Sequence, residues 1–186
     1  MSDTLIIDTG IGITTPELIE PLPLYDEHYY MLSKAMPEHD ARMLPNPVMT
    51  KFARRLQVTM QKYNGIGLSA NQCGIQERMF VMGDFVCINP KIVSHSAEVE
   101  RIREGCLSYP GLFVTVERYK TVDVEFYDEN GKLQRHHFEG VTAQCFQHEL
   151  DHMNGVTFTS RVKPLALQMA REKQKKLIKK ITRMAK

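Results

Sequence analysis

The sequence contains no tryptophan, and no stretch of apolar residues approaches the roughly 20 that a membrane-spanning helix needs. Its first residues, Met1 to Thr4, carry neither the basic segment nor the apolar segment that opens a secretory signal peptide. Through Arg42 there are eight acidic side chains against two basic ones, the opposite of an organelle transit peptide. We therefore expect a cytoplasmic protein without a membrane partner.

The sequence also lacks any CxxC spacing, although it has four cysteines, at positions 73, 87, 106 and 145. Widely spaced cysteines in a cytoplasmic chain are more often free thiols or metal ligands than disulfides. The pattern therefore predicts that no disulfide holds the fold together.

Acidic residues are scarce at the C-terminal end. From Arg161 to Lys186 there are ten Lys and Arg residues and one Glu, a net charge of +9 in a chain whose total is +2. A basic tail on an acidic body favours contact with a polyanion. The alternative is a solvated surface helix that packs lightly on the body.

The fold class follows from length and patterning. With 186 residues, 42% of them apolar and 25% charged, the chain fits one globular domain over 1–186. We expect a Pro-rich N-terminal arm over 1–46, a helix from Asn46-Pro47 to Asn64-Gly65, and short strands between Arg78 and Phe138. A helix over Val141–Asn154 and a basic C-terminal helix over 164–186 complete an α+β fold. Its short, mostly antiparallel strands surround the Val141–Asn154 helix.

That central helix contains His148, Glu149 and His152. Two histidines four residues apart project from one face of a helix and can hold one cation together. Glu149, beside the first histidine, can take a proton from a water molecule without being a ligand. The pattern predicts a metallohydrolase, and the alternative is an ordinary amphipathic helix with two histidines.

A catalytic site of this kind usually has a third protein ligand, and three positions can be weighed. A histidine six residues after His152 would indicate one protease class, but Phe158 occupies that position. Glu172, 24 residues after His148, would fit a zinc endopeptidase or be a surface residue in a basic helix. Cys106 follows Gly105 and precedes Pro110-Gly111, which indicates a tight loop, although a lone cysteine is more often a small buried residue.

A further segment of small residues, Gly65 to Gln72, follows the first predicted helix. Small residues let a backbone pass close to a ligand, and Gln72 adds a neutral side-chain donor. The alternative is a helix C-cap that runs into a tight turn.

Together the three segments, GIGLSANQ, EGCLS and QHELDH, resemble the peptide deformylase motifs GxGxAAxQ, EGCLS and QHExDH, with Ser69 in place of an alanine. The resemblance implies removal of formate from the N-formyl-methionine of new polypeptides, in a bacterium or in the host of a bacterial phage. It implies that Cys106, His148 and His152 bind one divalent metal ion per chain and that Glu149 is the general base and acid. Fe²⁺ is the ion expected from the family, and Zn²⁺, Ni²⁺ or Co²⁺ also suit these ligands.

The resemblance also implies the substrate contacts. Gln72 and the backbone N–H of Leu107 would bind the developing oxyanion, and the backbone of Gly67 would hold the formamide N–H. The remaining substrate-binding positions, which include the methionine pocket, would be Ile66, Ile102, Gly105, Val141, Gln144 and Cys145. Gln144 stands where an apolar residue is expected.

The expected partners are nascent N-formyl-Met peptides and, through the basic helix, the ribosome, with a monomeric chain. Two alternatives remain open from the sequence: a zinc endopeptidase with Glu172 as third ligand, and an inactive ribosome-binding homologue.

Overall fold

The structure, a computed structural model, describes residues 19–184, so most of the first half of the predicted arm lies outside the described residues. The arm continues over the surface with two short 3₁₀ turns, Tyr30–Ser33 and Ala41–Met43. The three α-helices are α1 (Pro47–Lys62), α2 (Gly140–Met153) and α3 (Pro164–Met184). The strands are β1 (Gly67–Ser69), β2 (Met79–Met82), β3 (Phe85–His95), β4 (Val99–Gly105), β5 (Phe113–Tyr119), β6 (Thr121–Tyr127) and β7 (Leu133–Glu139).

A five-stranded antiparallel sheet in the order β1-β2-β3-β6-β7 forms the centre of the fold. Successive side chains of a strand point to opposite faces, and β2 shows the consequence. Met79 and Val81 pack in the cluster that includes the α1 residues Ala53 and Leu56. Phe80, on the other face, packs in the cluster of α2. The sheet is thus covered by one helix on each face.

The strands β4 and β5 form a separate two-stranded sheet, paired from Val99 with Tyr119 to Gly105 with Phe113. Its inward residues, Val114 and Val116, pack with Phe158 in a third apolar cluster. Because β4 ends at Gly105, this hairpin delivers Cys106 beside α2.

The C-terminal end of α2 is held by polar contacts from distant parts of the chain. Asn71 donates its side-chain N–H to the carbonyl oxygen of His152 at 2.9 Å, and Arg78 donates to that of Met153 at 3.0 Å. After α2 the chain turns at Gly155, whose φ is +70° and where a Cβ atom would lie 2.8 Å from the backbone of the arm. These contacts satisfy carbonyl groups that a helix end leaves unpaired, and they fix α2 in the fold.

The α+β class and the three predicted helices are confirmed, including the C-terminal helix that begins at Pro164. Strand β3 is 11 residues long and therefore differs from the short strands that the sequence predicts for this part of the chain. Its pairing with β6 shifts between Ile88 and Lys91, around Asn89 (φ 51°) and Pro90, which interrupts the alternation that the sequence pattern relies on. Within residues 19–184 no helix is long and apolar enough to cross a membrane.

Candidate active site

Cys106, His148 and His152 come together between the end of β4 and one face of α2. One potential ligand atom from each lies within 4.8 Å of the others. The Sγ atom of Cys106 lies 3.3 Å from Nε2 of His152. Thiolate and imidazole ligands of a tetrahedral Zn²⁺ ion are about 3.6 Å apart, given bonds of about 2.3 and 2.0 Å. A sulfur donor and two imidazoles at this spacing fit a divalent transition-metal ion.

The orientation of His148 is fixed from behind by Glu104. Nδ1 of His148 lies 3.0 Å from the Glu104 carboxylate, which leaves the other ring nitrogen free to face Cys106. Arg118 donates two hydrogen bonds to the same carboxylate, at 2.7 and 2.9 Å. Burial alone would raise the pKa of Glu104, but the hydrogen bonds from Arg118 and His148 lower it to about 2. Glu104 is therefore ionised and acts as the partner that metal-ligating histidines usually have.

The ion-pair network extends beyond Glu104. Arg118 also donates to Asp151 at 2.6 Å, and Arg161 donates to both carboxylate oxygens of Asp151. Asp151 follows His148 by three residues on α2, so the two side chains leave neighbouring parts of the helix surface. The buried Arg118 therefore ties α2 to the β4–β5 hairpin on which Cys106 depends.

Glu149 is buried with little compensation. It is 4% exposed, and among residues 19–184 its Oε2 atom has no hydrogen-bond partner. Burial raises the pKa of its carboxyl group to about 7, while nearby His148 and a hydrogen bond with Ser69 act in the opposite direction. A pKa near neutrality suits a group that both accepts and returns a proton. A Cβ atom at Gly67 would lie 2.6 Å from Oε1 of Glu149, so the glycine is required for this close approach.

Gln72 lies in a 3₁₀ turn directly after β1 and is held at both ends of its carboxamide. Its Oε1 atom accepts hydrogen bonds from the backbone N–H and the hydroxyl group of Ser69, at 3.1 and 2.8 Å. Its Nε2 atom donates to Ser108 at 3.0 Å and lies 3.3 Å from the sulfur of Cys106. The donor end of the amide is thus turned towards the candidate metal ligands.

A cavity of about 810 Å³ opens onto this group. Its lining includes eleven of the thirteen predicted site residues: Ile66, Gly67, Gln72, Ile102, Gly105, Cys106, Leu107, Gln144, Cys145, His148 and Glu149. His152 is buried beneath the cavity, and Val141, 63% exposed at the start of α2, does not line it. Glu172 is exposed on α3 and is not part of the Cys-His-His group.

The sequence patterns did not identify three groups of residues at this site. The arm contributes Leu24, Tyr25 and Asp26 to the cavity wall, although it carries no motif. Arg118 pairs with residues 14 and 33 positions away, a separation that no local pattern reveals. Glu104 could have been found, because it lies two residues before Cys106 within the EGCLS segment.

Comparisons with known proteins agree with this geometry. The family model described as polypeptide deformylase matches residues 24–168. A peptide deformylase of Thermotoga neapolitana is 42% identical over 150 residues, which cover 71% of this chain and 92% of the relative. The crystal structure of a peptide deformylase from Legionella pneumophila has a TM-score of 0.78 at 33% identity and covers 88% of this chain and 98% of its own. A peptide deformylase from Synechococcus elongatus, solved in complex with actinonin, also has a TM-score of 0.78, at 36% identity over 83% of this chain and 88% of its own.

The endopeptidase alternative is not favoured by any of these comparisons. The chain belongs to the peptide deformylase family, and it is a metal-dependent hydrolase.

Proposed function

We propose that Cys106, His148 and His152 hold one divalent cation and that Glu149, Gln72 and Leu107 carry out the removal of the formyl group from N-formyl-methionine peptides. In this reaction water adds to the formyl carbon, the bond to the methionine nitrogen breaks, and formate and a free amine leave. The observation that carries the proposal is the buried carboxylate oxygen of Glu149 beside the Cys-His-His group, which has no hydrogen-bond partner in the described part of the chain.

The cation would supply the electrophile. When bound, a divalent ion lowers the pKa of a coordinated water from about 15.7 towards 7 and polarises a carbonyl oxygen. One thiolate and two neutral imidazoles suit Fe²⁺, Zn²⁺, Co²⁺ and Ni²⁺, and we propose Fe²⁺ as the native ion on the family resemblance. Burial lowers the pKa of His152 well below its usual value, so this imidazole is neutral and available as a ligand.

Glu149 would move the proton. Its Oε2 atom takes the proton of the attacking water and then delivers it to the methionine nitrogen, which would otherwise be a poor leaving group. The proposal is supported by the raised pKa of Glu149, about 7, because the group can then be deprotonated before the attack and protonated after it.

The developing oxyanion needs donors that are in place before the reaction. The carboxamide of Gln72 is held in a fixed orientation by Ser69, which donates to Oε1, and by Ser108, which accepts from Nε2. The backbone N–H of Leu107 follows directly after Cys106. Loss of one such donor typically lowers the rate by about 10²–10³-fold. Gly67 would contribute a backbone acceptor for the formamide N–H. The methionine side chain would lie against Ile66, Ile102, Gln144 and Cys145, whereas Val141, also predicted for this pocket, does not line the cavity.

Formate release from formyl-Met-Ala-Ser by the metal-loaded chain tests this function. We expect release by the unmodified chain and by Glu172→Ala, and loss of release in Glu149→Ala with the metal content retained. Cys106→Ala should lose the metal. Retention of metal in Cys106→Ala with its loss in Glu172→Ala would overturn the ligand assignment, and no formate from a fully loaded chain would overturn the function.

We further propose that α3 docks a cytoplasmic, monomeric chain on the ribosome, where its substrates emerge. The first half of α3 packs on the body, and Gln174 donates to the carbonyl of Pro110 at 2.8 Å. From Lys175 to Met184 every residue is exposed, with apolar side chains such as Ile178 and Ile181 among lysines. An exposed basic helix of this kind is suited to a polyanionic surface.

Co-sedimentation with ribosomes over a range of salt concentrations tests the docking. Removal of residues 175–186 spares the Gln174 contact and should abolish binding while formate release persists. Binding of the shortened chain at the same salt concentration as the full chain would contradict it.

A further inference from the structure

Gln144 places a polar group in the wall that we assign to the methionine side chain. It lies four residues before His148 on α2, so its side chain projects from the same face, one helical turn earlier. The neighbouring lining residues Ile66, Ile102 and Cys145 are apolar. The carboxamide of Gln144 therefore borders the cavity together with these apolar residues of its wall.

Other glutamines of the chain show what is unusual about Gln144. Gln147, on the next turn of α2, bonds both the N–H and the carbonyl of Tyr119, and Gln174 donates to Pro110. Gln72 is bonded at both ends of its amide. For Gln144, no side-chain hydrogen bond to any residue between 19 and 184 is formed. Its donor and acceptor are thus available to whatever occupies the cavity.

The oxidation state of the substrate's methionine sulfur decides whether it can accept a hydrogen bond from Gln144. The thioether of methionine is only a weak hydrogen-bond acceptor. Oxidation to the sulfoxide turns the same side chain into a polar one of similar length, and its oxygen is a much better acceptor. A purely apolar pocket would leave that oxygen without a partner, whereas the amide N–H of Gln144 can donate to it.

We propose that Gln144 allows this chain to deformylate peptides that begin with N-formyl-methionine sulfoxide, as a second substrate class beside formyl-methionine. The inference rests on the proposed function and extends it to the oxidised form of the same residue. The chemistry is unchanged: water adds to the formyl carbon, the C–N bond breaks, and formate leaves with the amine protonated. The sulfoxide is neither reduced nor released, so no further reactant is needed.

Three peptides separate the effect of polarity from that of size: formyl-Met-Ala-Ser, its sulfoxide, and formyl-norleucine-Ala-Ser, in which a methylene replaces the sulfur. The quantity to compare is the ratio of kcat/KM for sulfoxide and methionine peptides within one enzyme preparation. That ratio cancels any general loss of folded or metal-loaded protein. We expect it to fall by about 10- to 100-fold in Gln144→Met, which keeps the length of the side chain but removes the N–H donor.

Two controls define the outcome. Ile102→Leu changes the shape of the same wall without changing its polarity, and it should leave the sulfoxide-to-methionine ratio within about threefold of the unmodified chain. The norleucine-to-methionine ratio should likewise change little in Gln144→Met. An equal sulfoxide-to-methionine ratio in Gln144→Met and the unmodified chain would overturn the proposal, as would failure of the unmodified chain to use the sulfoxide peptide. Failure on formyl-methionine itself would instead overturn the proposed function.

Discussion

Two buried glutamates on either side of His148 have opposite environments. Glu104 is 8% exposed and Glu149 is 4% exposed, so burial alone should raise both pKa values. Glu104 accepts hydrogen bonds from Arg118 and His148 and has a pKa of about 2. Glu149 has one oxygen without a hydrogen-bond partner among residues 19–184 and a pKa of about 7. The same residue type is thus a fixed counter-ion at position 104 and suits the proposed proton carrier at position 149, because the partners differ rather than the burial.

The region around Glu104 is a network of paired charges, and the region around Glu149 is part of the cavity wall. On the Glu104 side of His148, ion pairs link Glu104, Arg118, Asp151 and Arg161. On the Glu149 side, the cavity lining includes Gly67, Ile66 and Cys145. An uncompensated buried charge costs stability, and it is retained where chemistry needs it.

The sharpest test of this contrast is Glu149→Gln. The substitution keeps the shape of the side chain but removes the proton carrier, so we expect kcat/KM for formyl-Met-Ala-Ser to fall by about 10²–10⁴-fold. Metal content, measured by elemental analysis, should stay at that of the unmodified chain because Glu149 is not a ligand. Loss of metal in parallel with activity would show that Glu149 has a structural role like that of Glu104.

Substitution of Arg118 should disrupt the ion-pair network around Glu104. Arg118→Met leaves Glu104 and Asp151 with fewer partners while both remain buried, and such a change typically costs about 3–5 kcal/mol of unfolding free energy. Metal affinity should also fall, by about 10- to 100-fold, because the partner of His148 is no longer fixed. Both can be measured by denaturant unfolding and by competition with a chelator.

Arg135→Met is the matched control. Arg135 also pairs with a glutamate, Glu125, at 2.8 Å, but its side chain is 74% exposed. An exposed pair contributes about 0–1 kcal/mol, so this variant should be nearly as stable as the unmodified chain and should keep its metal. If Arg118→Met and Arg135→Met changed stability and metal content equally, the buried network would contribute no more than a surface ion pair.

The two glutamates should also give the metal-free chain opposite responses to pH. The pKa of Glu149 is raised, so its ionisation opposes folding, and stability is lost as pH rises from about 4.5 through 7. The pKa of Glu104 is lowered, so its contribution is present above about 4.5 and is lost as pH falls towards 2. Each contribution amounts to about 3 kcal/mol at the order-of-magnitude level.

Thermal or denaturant unfolding of metal-free Glu149→Gln and of the unmodified chain can isolate the first contribution. The stability of the variant relative to the unmodified chain should increase between pH 5 and pH 7.5, because only the unmodified chain has to ionise a buried group. A difference that is constant over this range would mean that Glu149 ionises in the folded state as easily as in the unfolded one.

The sequence predicted the parts of this comparison that depend on local spacing. The HExxH pattern placed His148 and His152 on one helix face with Glu149 beside the first of them, and the three motifs together indicated the family. The sequence could not predict the network behind His148, because Arg118 meets Glu104 and Asp151 through the pairing of β4 with β5 and the packing of α2. It also gave no sign that Tyr25 of the arm borders the cavity, since this contact depends on how the arm lies over Gln72.

Strand β1 lies within one of the three motifs, and its conformation could not be predicted from the sequence either. Gly67–Ser69 is three residues long, too short for a period-two pattern to be recognised, and its pairing with β2 forms only in the folded sheet. Its small residues and Gln72 predict a close approach of the backbone to a ligand, but no strand. Its strand conformation matters, because it holds Gly67 against Glu149 and leads directly into the turn that contains Gln72.

The smallest expected effect concerns thiol labelling, which extends the comparison from carboxylates to cysteines. Burial raises the pKa of Cys73 to about 12 and the pKa values of Cys87 and Cys145 well above the usual range, so these thiols should resist alkylation. Cys106 is partly exposed in the cavity.

Iodoacetamide at pH 8 should therefore label one cysteine per metal-free chain, as measured by mass spectrometry. Loading with Zn²⁺ should slow that labelling because the thiolate becomes a ligand. Cys106→Ser should take up no label. Labelling at Cys145, which lines the same cavity, would show that burial at the cavity wall is less complete than around Cys73, and equal labelling with and without Zn²⁺ would argue against Cys106 as a ligand.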